Sequence, residues 1–315
     1  MTKHHRKPIV VVGSINADLV ARVERIPRSG ETVLGSDFQI HPGGKGANQA
    51  VAVARLDYPV FMIGKLGSDA FGHLLRTSLD AAGVNTIAVG TVDGSSGVAL
   101  IEVSSQGENS IVVAPGANSQ LLPEDIDTNM KILCSAGLVL VQLEIPLETV
   151  AYLTTVCARE GIPVILDPAP AQRLPPEVFR EVTWITPNET ETDFYCGSIG
   201  ARNANLQAKR SILSDLGIRG IVFKRGIHGV YLSVRDGVDV SISAFPVPAI
   251  DTTAAGDAFN GAFATGLMLG KDPVESARFA SAAAAISVTR PGAQPSMPSL
   301  RETEAMLADF GAEQS

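Results

Sequence analysis

The stretch I-V-V-V-G-S-I-N-A-D, Ile9 to Asp18, decides the reading of the fold. Ile9 to Ile15 is a β-branched run closed by Gly13 and Ser14, the pattern of a central strand buried on both faces. Asn16 and Asp18 fall just past its C-terminal end. Ligands of open α/β sheets bind outside the carboxyl ends of the strands, so these two residues either meet a ligand or simply make a turn.

Outward from this strand the pattern repeats. Leu138 to Leu143, Val164 to Leu166, Thr183 to Ile185 and Ile221 to Phe223 read as strands separated by helical patterns. That alternation predicts an α/β fold, a doubly wound and mostly parallel sheet. Between Leu19 and Ile40 the text breaks into short alternating pieces at Pro27, Gly30 and Gly35, and Gly97 to Val103 with Ser110 to Ala114 reads as a hairpin. These predict a small antiparallel β-sheet layer, contributed by about 17–41 and 96–115. No linker isolates it, so the expectation is one domain over 1–315.

Composition narrows the function classes. The chain has 315 residues, 45% of them apolar, enough for one large α/β domain. A net charge of −8, with no basic cluster beyond Lys3 to Lys7, speaks against a nucleic-acid partner. The apolar runs Ile9 to Val12 and Ala280 to Val288 are too short for a signal peptide or membrane span, so no membrane partner is expected. Cys134, Cys157 and Cys196 are odd in number and widely spaced, the pattern of three buried small side chains in a reducing cytoplasm.

Four stretches carry chemistry. In D-T-T-A-A-G-D-A-F-N-G-A, Asp251 to Ala262, the small residues Ala254, Ala255 and Gly256 open a helix and leave its first N–H groups bare. That makes an anion hole beside Asp257, which is either a capping carboxylate or a base next to the phosphoryl group it helps transfer. The second, G-G-K-G-A-N-Q-A, leads into the apparent helix Ala47 to Leu56. It has neither P-loop nor dinucleotide spacing; its glycines let Gly44 and Gly46 approach a small polar ligand while Lys45 and Asn48 donate to it. T-P-N-E-T-E at Thr186 to Glu191 and K-R-G-I-H-G at Lys224 to Gly229 both close strands. Lys224 and Arg225 either pair with phosphate oxygens or point to water, and His228 is a loop residue.

Together with Q-L-E at Gln142 to Glu144, L-D-P-A-P at Leu166 to Pro170 and V-T-R-P-G-A-Q-P-S at Val288 to Ser296, these motifs closely resemble the ribokinase-like (PfkB) sugar kinases, from about Ile9 to about Pro298. The resemblance implies a kinase that transfers the γ-phosphoryl of ATP, with Mg²⁺, to the 5-hydroxyl of D-ribose, with Asp257 as base. It implies sugar contacts at Asn16, Asp18, Gly44, Lys45, Gly46, Asn48 and Glu144. Nucleotide contacts fall at Asn188, Gly226, Gly229, Gly256 and Ser281, and Glu191 acts on Mg²⁺ through water. A monovalent cation, usually K⁺, is implied between Asp251, Thr253, Ser287, Arg290, Gly292 and Ser296. The antiparallel layer becomes a lid over the sugar, through which two subunits commonly pair. Alternatives are another acceptor (deoxyribose, a ketose or a nucleoside) and a noncatalytic sugar sensor, against which the presence of Asp257 argues.

Overall fold

The computed structural model describes residues 6–197, 200–202 and 204–312, so Lys3 of the basic N-terminal cluster lies outside it. Thirteen strands are found among the described residues: β1 Ile9–Val12, β2 Asn16–Val23, β3 Gly35–Gly43, β4 Val60–Gly67, β5 Asn85–Val92, β6 Gly97–Ser104, β7 Asn109–Ala114, β8 Leu138–Val141, β9 Val164–Leu166, β10 Trp184–Ile185, β11 Gly220–Lys224, β12 Val230–Val234 and β13 Asp239–Ile242. The helices are α1 Lys45–Arg55, α2 Ala70–Ala81, α3 Pro123–Thr128, α4 Met130–Leu133, α5 Leu147–Glu160, α6 Pro176–Glu181, α7 Glu189–Gly197, α8 Leu206–Asp215, α9 Ala255–Met268, α10 Pro273–Ser287 and α11 Leu300–Ala312.

Nine strands form the main sheet in the order β13-β12-β11-β10-β9-β8-β1-β4-β5. From β11 to β5 every pairing is parallel; β12 and β13 extend it as an antiparallel edge. Period-two alternation splits the core into two layers. Ile9, Val11, Leu138 and Leu140 face the layer of α1, α2, α9 and α10, whereas Val10, Val12, Val139 and Val141 face the layer of α5, α6 and α8. Because both faces are covered, the strands read as unbroken apolar runs. β1 ends at Val12, shorter than the run to Ile15 suggests, because the chain must turn through Gly13 to Ile15 to leave the sheet.

It leaves as β2, the root of the second sheet, in order β3-β2-β6-β7. This is the expected small sheet, built of two antiparallel pairs whose middle pair, β2 with β6, runs parallel. Alternation identifies strands but carries no information on pairing direction, which the long connection through α1 to β5 sets here. Cys157 and Cys196 are buried as expected, but Cys134 is exposed, since it closes the short α4 at the surface.

Candidate active site

In the main sheet, the chain passes from β1 to β4 on one side while β8 lies on the other, so the crevice at the C-terminal ends of β1 and β8 is a topological switch point. Ser14 and Glu144 meet there: the Ser14 hydroxyl donates to the Glu144 carboxylate, which also accepts from the Lys45 amide at 3.1 Å. Helix α1 begins at Gly44 with φ of 87° and has neither a capping side chain nor an acidic residue in its first turn. Glu144, about a hundred residues away in sequence, therefore supplies the anion that its N-terminus lacks. Glu144 does not cap the nearer helix α5, whose N-cap Pro146 has no side-chain hydrogen bond.

Asn16 is fixed by Asn118, whose amide donates to the Asn16 Oδ1 at 2.7 Å while its own oxygen accepts from the Ile15 amide at 2.9 Å. The carboxylate of Asp18, two residues further along β2, has no side-chain hydrogen bond among the described residues. Gly43 lies diagonally across on β3, paired with Asn16, and a β-carbon there would fall 2.1 Å from the Asp18 Oδ2, so a glycine at this position leaves the carboxylate its space. Burial, then the neighbouring charges of Glu144 and Asp257, push the Asp18 pKa up to about 7, with Lys45 opposing.

The second half of the site is the start of α9. Helix α10 shows what a finished N-terminus looks like here: Asp272 and Glu275 form a full capping box with Pro273 at the first position. Helix α9 has none of this. Its N-cap Ala254 adopts φ of 57°, a left-handed conformation that costs a residue with a β-carbon, and offers no side chain. The Ala255 amide is spent on the Thr252 carbonyl at 3.2 Å, and the first bond inside the helix joins Ala258 to Ala254. Of the expected anion hole, the Ala255 amide is thus engaged, whereas the amides of Ala254, Gly256 and Asp257 have no backbone acceptor among the described residues.

Asp257 is 5% exposed. Asn48 donates to its Oδ2 at 3.0 Å and Gln49 to its Oδ1 at 3.0 Å. The same Gln49 amide donates to Asp167 Oδ2 at 2.9 Å, and its oxygen accepts from Gln142 at 2.7 Å. Burial raises the Asp257 pKa to about 6; Asp167 adds to the rise, while Lys45, Asn48 and Gln49 restrain it. Burial works to lower the Lys45 pKa, but the charges of Asp257, Asp167, Glu144 and Glu191 outweigh it and hold the ammonium's pKa above its ordinary value.

On the opposite flank, Asn188 and Glu191 grip each other: the carboxylate accepts from the Asn188 amide at 2.7 Å and its side chain at 2.8 Å, and Asn188 Oδ1 accepts from the Glu191 amide at 2.8 Å. Glu191 is buried, and that burial raises its pKa against the pull of Lys224. Lys224 does not point to water; its ammonium donates to Asp167 Oδ1 at 3.0 Å. Arg225 begins the turn over Gly226 to Gly229, where both glycines take positive φ and the Arg225 amide donates to the Gly229 carbonyl. His228 lies in this exposed turn. Ser281 is buried in α10 with its hydroxyl committed to the Ala277 carbonyl at 2.9 Å.

The 251 and 290 loops come together as expected. Asp251 Oδ2 accepts from the Gly292 amide at 2.8 Å and Oδ1 from the Thr253 amide at 2.9 Å, and these bonds hold its pKa below the usual range despite burial. The Arg290 guanidinium turns away to Glu302 at 2.5 Å. Ser287 and Ser296 donate their hydroxyls to the carbonyls of Ala284 and Ala293.

Sequence reasoning assigned no role to Gln49, Gln142, Asp167, Ser14 or Asn118. The first four lie inside the quoted stretches, and that is the available signal. Asn118 had none.

An unsatisfied helix start beside a buried, hydrogen-bonded carboxylate, at the switch point of a doubly wound sheet that carries a lid, is the equipment of a phosphotransferase with an alcohol as acceptor. The chain belongs to the pfkB family of carbohydrate kinases, whose model matches residues 6–300. It is 43% identical over 299 residues to a ribokinase of Haemophilus influenzae, covering 95% of this chain and 97% of that one. To a deoxyribokinase of Salmonella typhi it is 39% identical over 302 residues, covering 95% and 98%. The solved structure of Arabidopsis thaliana ribokinase complexed with ribose and ATP superposes with a TM-score of 0.87 at 36% identity, covering 96% of this chain and 98% of that one.

Proposed function

We propose that this chain transfers the γ-phosphoryl group of ATP to the 5-hydroxyl of D-ribose. The observation that carries the reading is Asp257: a carboxylate buried at an open helix start and aimed by two amides, with a pKa of about 6 that leaves it basic at neutral pH. As the sugar oxygen attacks in line, Asp257 takes its proton, the bond from the phosphorus to the nucleotide's bridging oxygen breaks, and the amides of Gly256 and Asp257 receive the charge on the phosphoryl oxygens. Asp18, an acceptor without a partner, suits adjacent sugar hydroxyls, with Asn16, Lys45 and Glu144 around them. The lid excludes water, which would otherwise compete as acceptor.

The charge of the site fits a magnesium-bound nucleotide. Asp18, Glu144, Asp167, Glu191 and Asp257 face Lys45 and Lys224, an excess of negative charge that would repel bare ATP. Among the described residues no cluster of three or more acidic, His or Cys side chains could cage a metal. Both Glu191 oxygens already accept from Asn188, so Glu191 would act through the ion's water while the phosphates hold it. Mg²⁺ would supply charge neutralisation at the phosphoryl oxygens. At the joined loops, Asp251 with Thr253, Ser287, Arg290, Gly292 and Ser296 would supply a carboxylate and backbone carbonyls, hard oxygens suited to a monovalent cation such as K⁺.

The lid also suits a homodimer. On the face opposite Asp18 the register aligns Ile40, Leu19, Leu100 and Val112 in one apolar row across all four strands. Ile40, Leu100 and Val112 are 39%, 52% and 60% exposed, an apolar patch that a second copy would cover. Among the described residues no helix is long and apolar enough to cross a membrane; a cytoplasmic location belongs to the same proposal.

An ADP-release assay across D-ribose, 2-deoxyribose, ketoses and nucleosides tests the acceptor. D-ribose should give the highest kcat/KM, since 2-deoxyribose leaves a buried acceptor of Asp18 unpaired. Equal kcat/KM for the two pentoses would overturn the assignment of Asp18 and of ribose together.

A further inference from the structure

Resting on the phosphotransferase reading above, we infer that Lys224 is a catalytic residue, its ammonium touching the transferring phosphoryl group and the bridging oxygen that leaves with the nucleotide.

Lys224 is the last residue of β11, held in line by an isolated parallel bridge to Asn188. Its side chain is 14% exposed and its counter-ion Asp167 is 2% exposed, so the ammonium is drawn into the crevice. The distance to the open helix start is short: a β-carbon built on Gly256 would stand 3.4 Å from the Lys224 Nζ. That glycine carries one of the amides left free for the phosphoryl oxygens, so amide and ammonium address the same place from two sides.

The polar chain behind it links the two actors. Asp167 accepts from Lys224 on Oδ1 and from Gln49 on Oδ2, and the same Gln49 amide donates to Asp257. One amide thus ties the counter-ion of the lysine to the general base. An ammonium has three N–H donors, and Asp167 takes one. The other two have no partner among the described residues, in a pocket where an unpaired donor is costly. Oxygens of the β- and γ-phosphates would complete the set.

The step balances without altering the lysine. The sugar O5 to phosphorus bond forms, its proton goes to Asp257, the electron pair of the broken bond goes to the ADP oxygen, and Lys224 remains an ammonium throughout. Charge placed where the leaving oxygen gains its electrons stabilises the transition state more than the ground state. The alternative is that Lys224 merely neutralises Asp167.

Calorimetric titration of the full chain with Mg²⁺ and either ADP or the non-hydrolysable β,γ-imido analogue of ATP separates the two. Lys224→Met should weaken the analogue by about tenfold or more, through the lost contact to its γ-phosphoryl group, and ADP, which offers only the β-phosphate oxygens, by no more than about threefold, while kcat with D-ribose falls by about 10²-fold and the KM for D-ribose holds. Lys224→Arg keeps the charge and should retain most of the preference for the analogue; Lys224→Thr gives the same comparison as Met should Met fail to fold. Equal losses for both nucleotides, or unchanged kcat, would overturn the inference. A wild-type protein inert towards D-ribose would overturn the acceptor reading alone, because the analogue-to-ADP comparison needs no acceptor.

Discussion

Replacing Asp18 by Asn should make the sugar-free protein more stable while destroying its affinity for the acceptor. Asp18 accepts no hydrogen bond from the described residues, and burial with the charges of Glu144 and Asp257 lifts its pKa from 3.8 to about 7. An acid that holds its proton more tightly when folded contributes its full stability below the unfolded pKa and loses it as pH rises through the folded one. The native state therefore carries a cost above pH 7. About 3 units at about 1.4 kcal/mol each is about 4 kcal/mol. Partial access to water screens the carboxylate and the neighbours share the shift, leaving about 1 to 3 kcal/mol. At about 2 °C per kcal/mol for a chain of this size, Asp18→Asn should melt about 2 to 6 °C higher than wild type at pH 8 without ligand. The gap should narrow steadily towards pH 4, as the wild-type carboxyl takes up its proton. Differential scanning calorimetry across pH 4 to 8 reads both numbers. A variant no more stable at pH 8, or a gap independent of pH, would refute the reasoning. A polar acceptor kept at a stability cost is the expected signature of a binding group.

The other expectations follow from the same geometry. Asp257→Asn should lower kcat by about 10²-fold or more with little change in ATP or sugar affinity, measured by steady-state kinetics and calorimetry. With Asp257 intact and the sugar saturating, kcat should fall about tenfold per unit as pH drops below about 6, because the protonated carboxyl cannot accept the sugar's proton. Activity in K⁺ should exceed that in Na⁺ at matched ionic strength, and Asp251→Ala should remove most of the difference; identical rates in K⁺, Na⁺ and a bulky organic cation would mean the loop needs no ion. Leu100→Glu should shift the protein from dimer to monomer in sedimentation velocity without loss of the fold; an unchanged sedimentation coefficient would remove the lid as the interface.

What could be read in the text of the chain depended on the kind of physics involved. The run at Ile9 to Val12 and the strands at Leu138, Val164 and Ile221 announced themselves because burial on both faces leaves no polar position to confuse them. The alternating pieces at Leu19 to Ile40 were legible as strands, but the parallel β2–β6 pairing was not, since a strand's side-chain pattern is the same in either direction. Asp257, Asn48 and Glu144 stood inside compact motifs. The network through Gln49, Gln142 and Asp167 joins residues 93 to 208 positions apart, and no periodicity records such distances. The sequence leaves Lys224 between phosphate and water for a similar reason: the residue ending a strand can turn either way until its counter-ion is located. Cys134 departs from the expected burial because a cysteine's usual preference says nothing about a short helix lying at the surface.

The central claim is that a buried base at the start of α9 directs one phosphoryl group onto one hydroxyl of a pentose. Phosphorus and carbon NMR of the wild-type protein with MgATP and uniformly ¹³C-labelled D-ribose tests it most directly. The account predicts a single phosphomonoester whose coupling to phosphorus appears at C5 and C4 of the sugar, formed in step with ADP. Phosphorus coupling at C1, or ADP and inorganic phosphate with the sugar untouched, would contradict it.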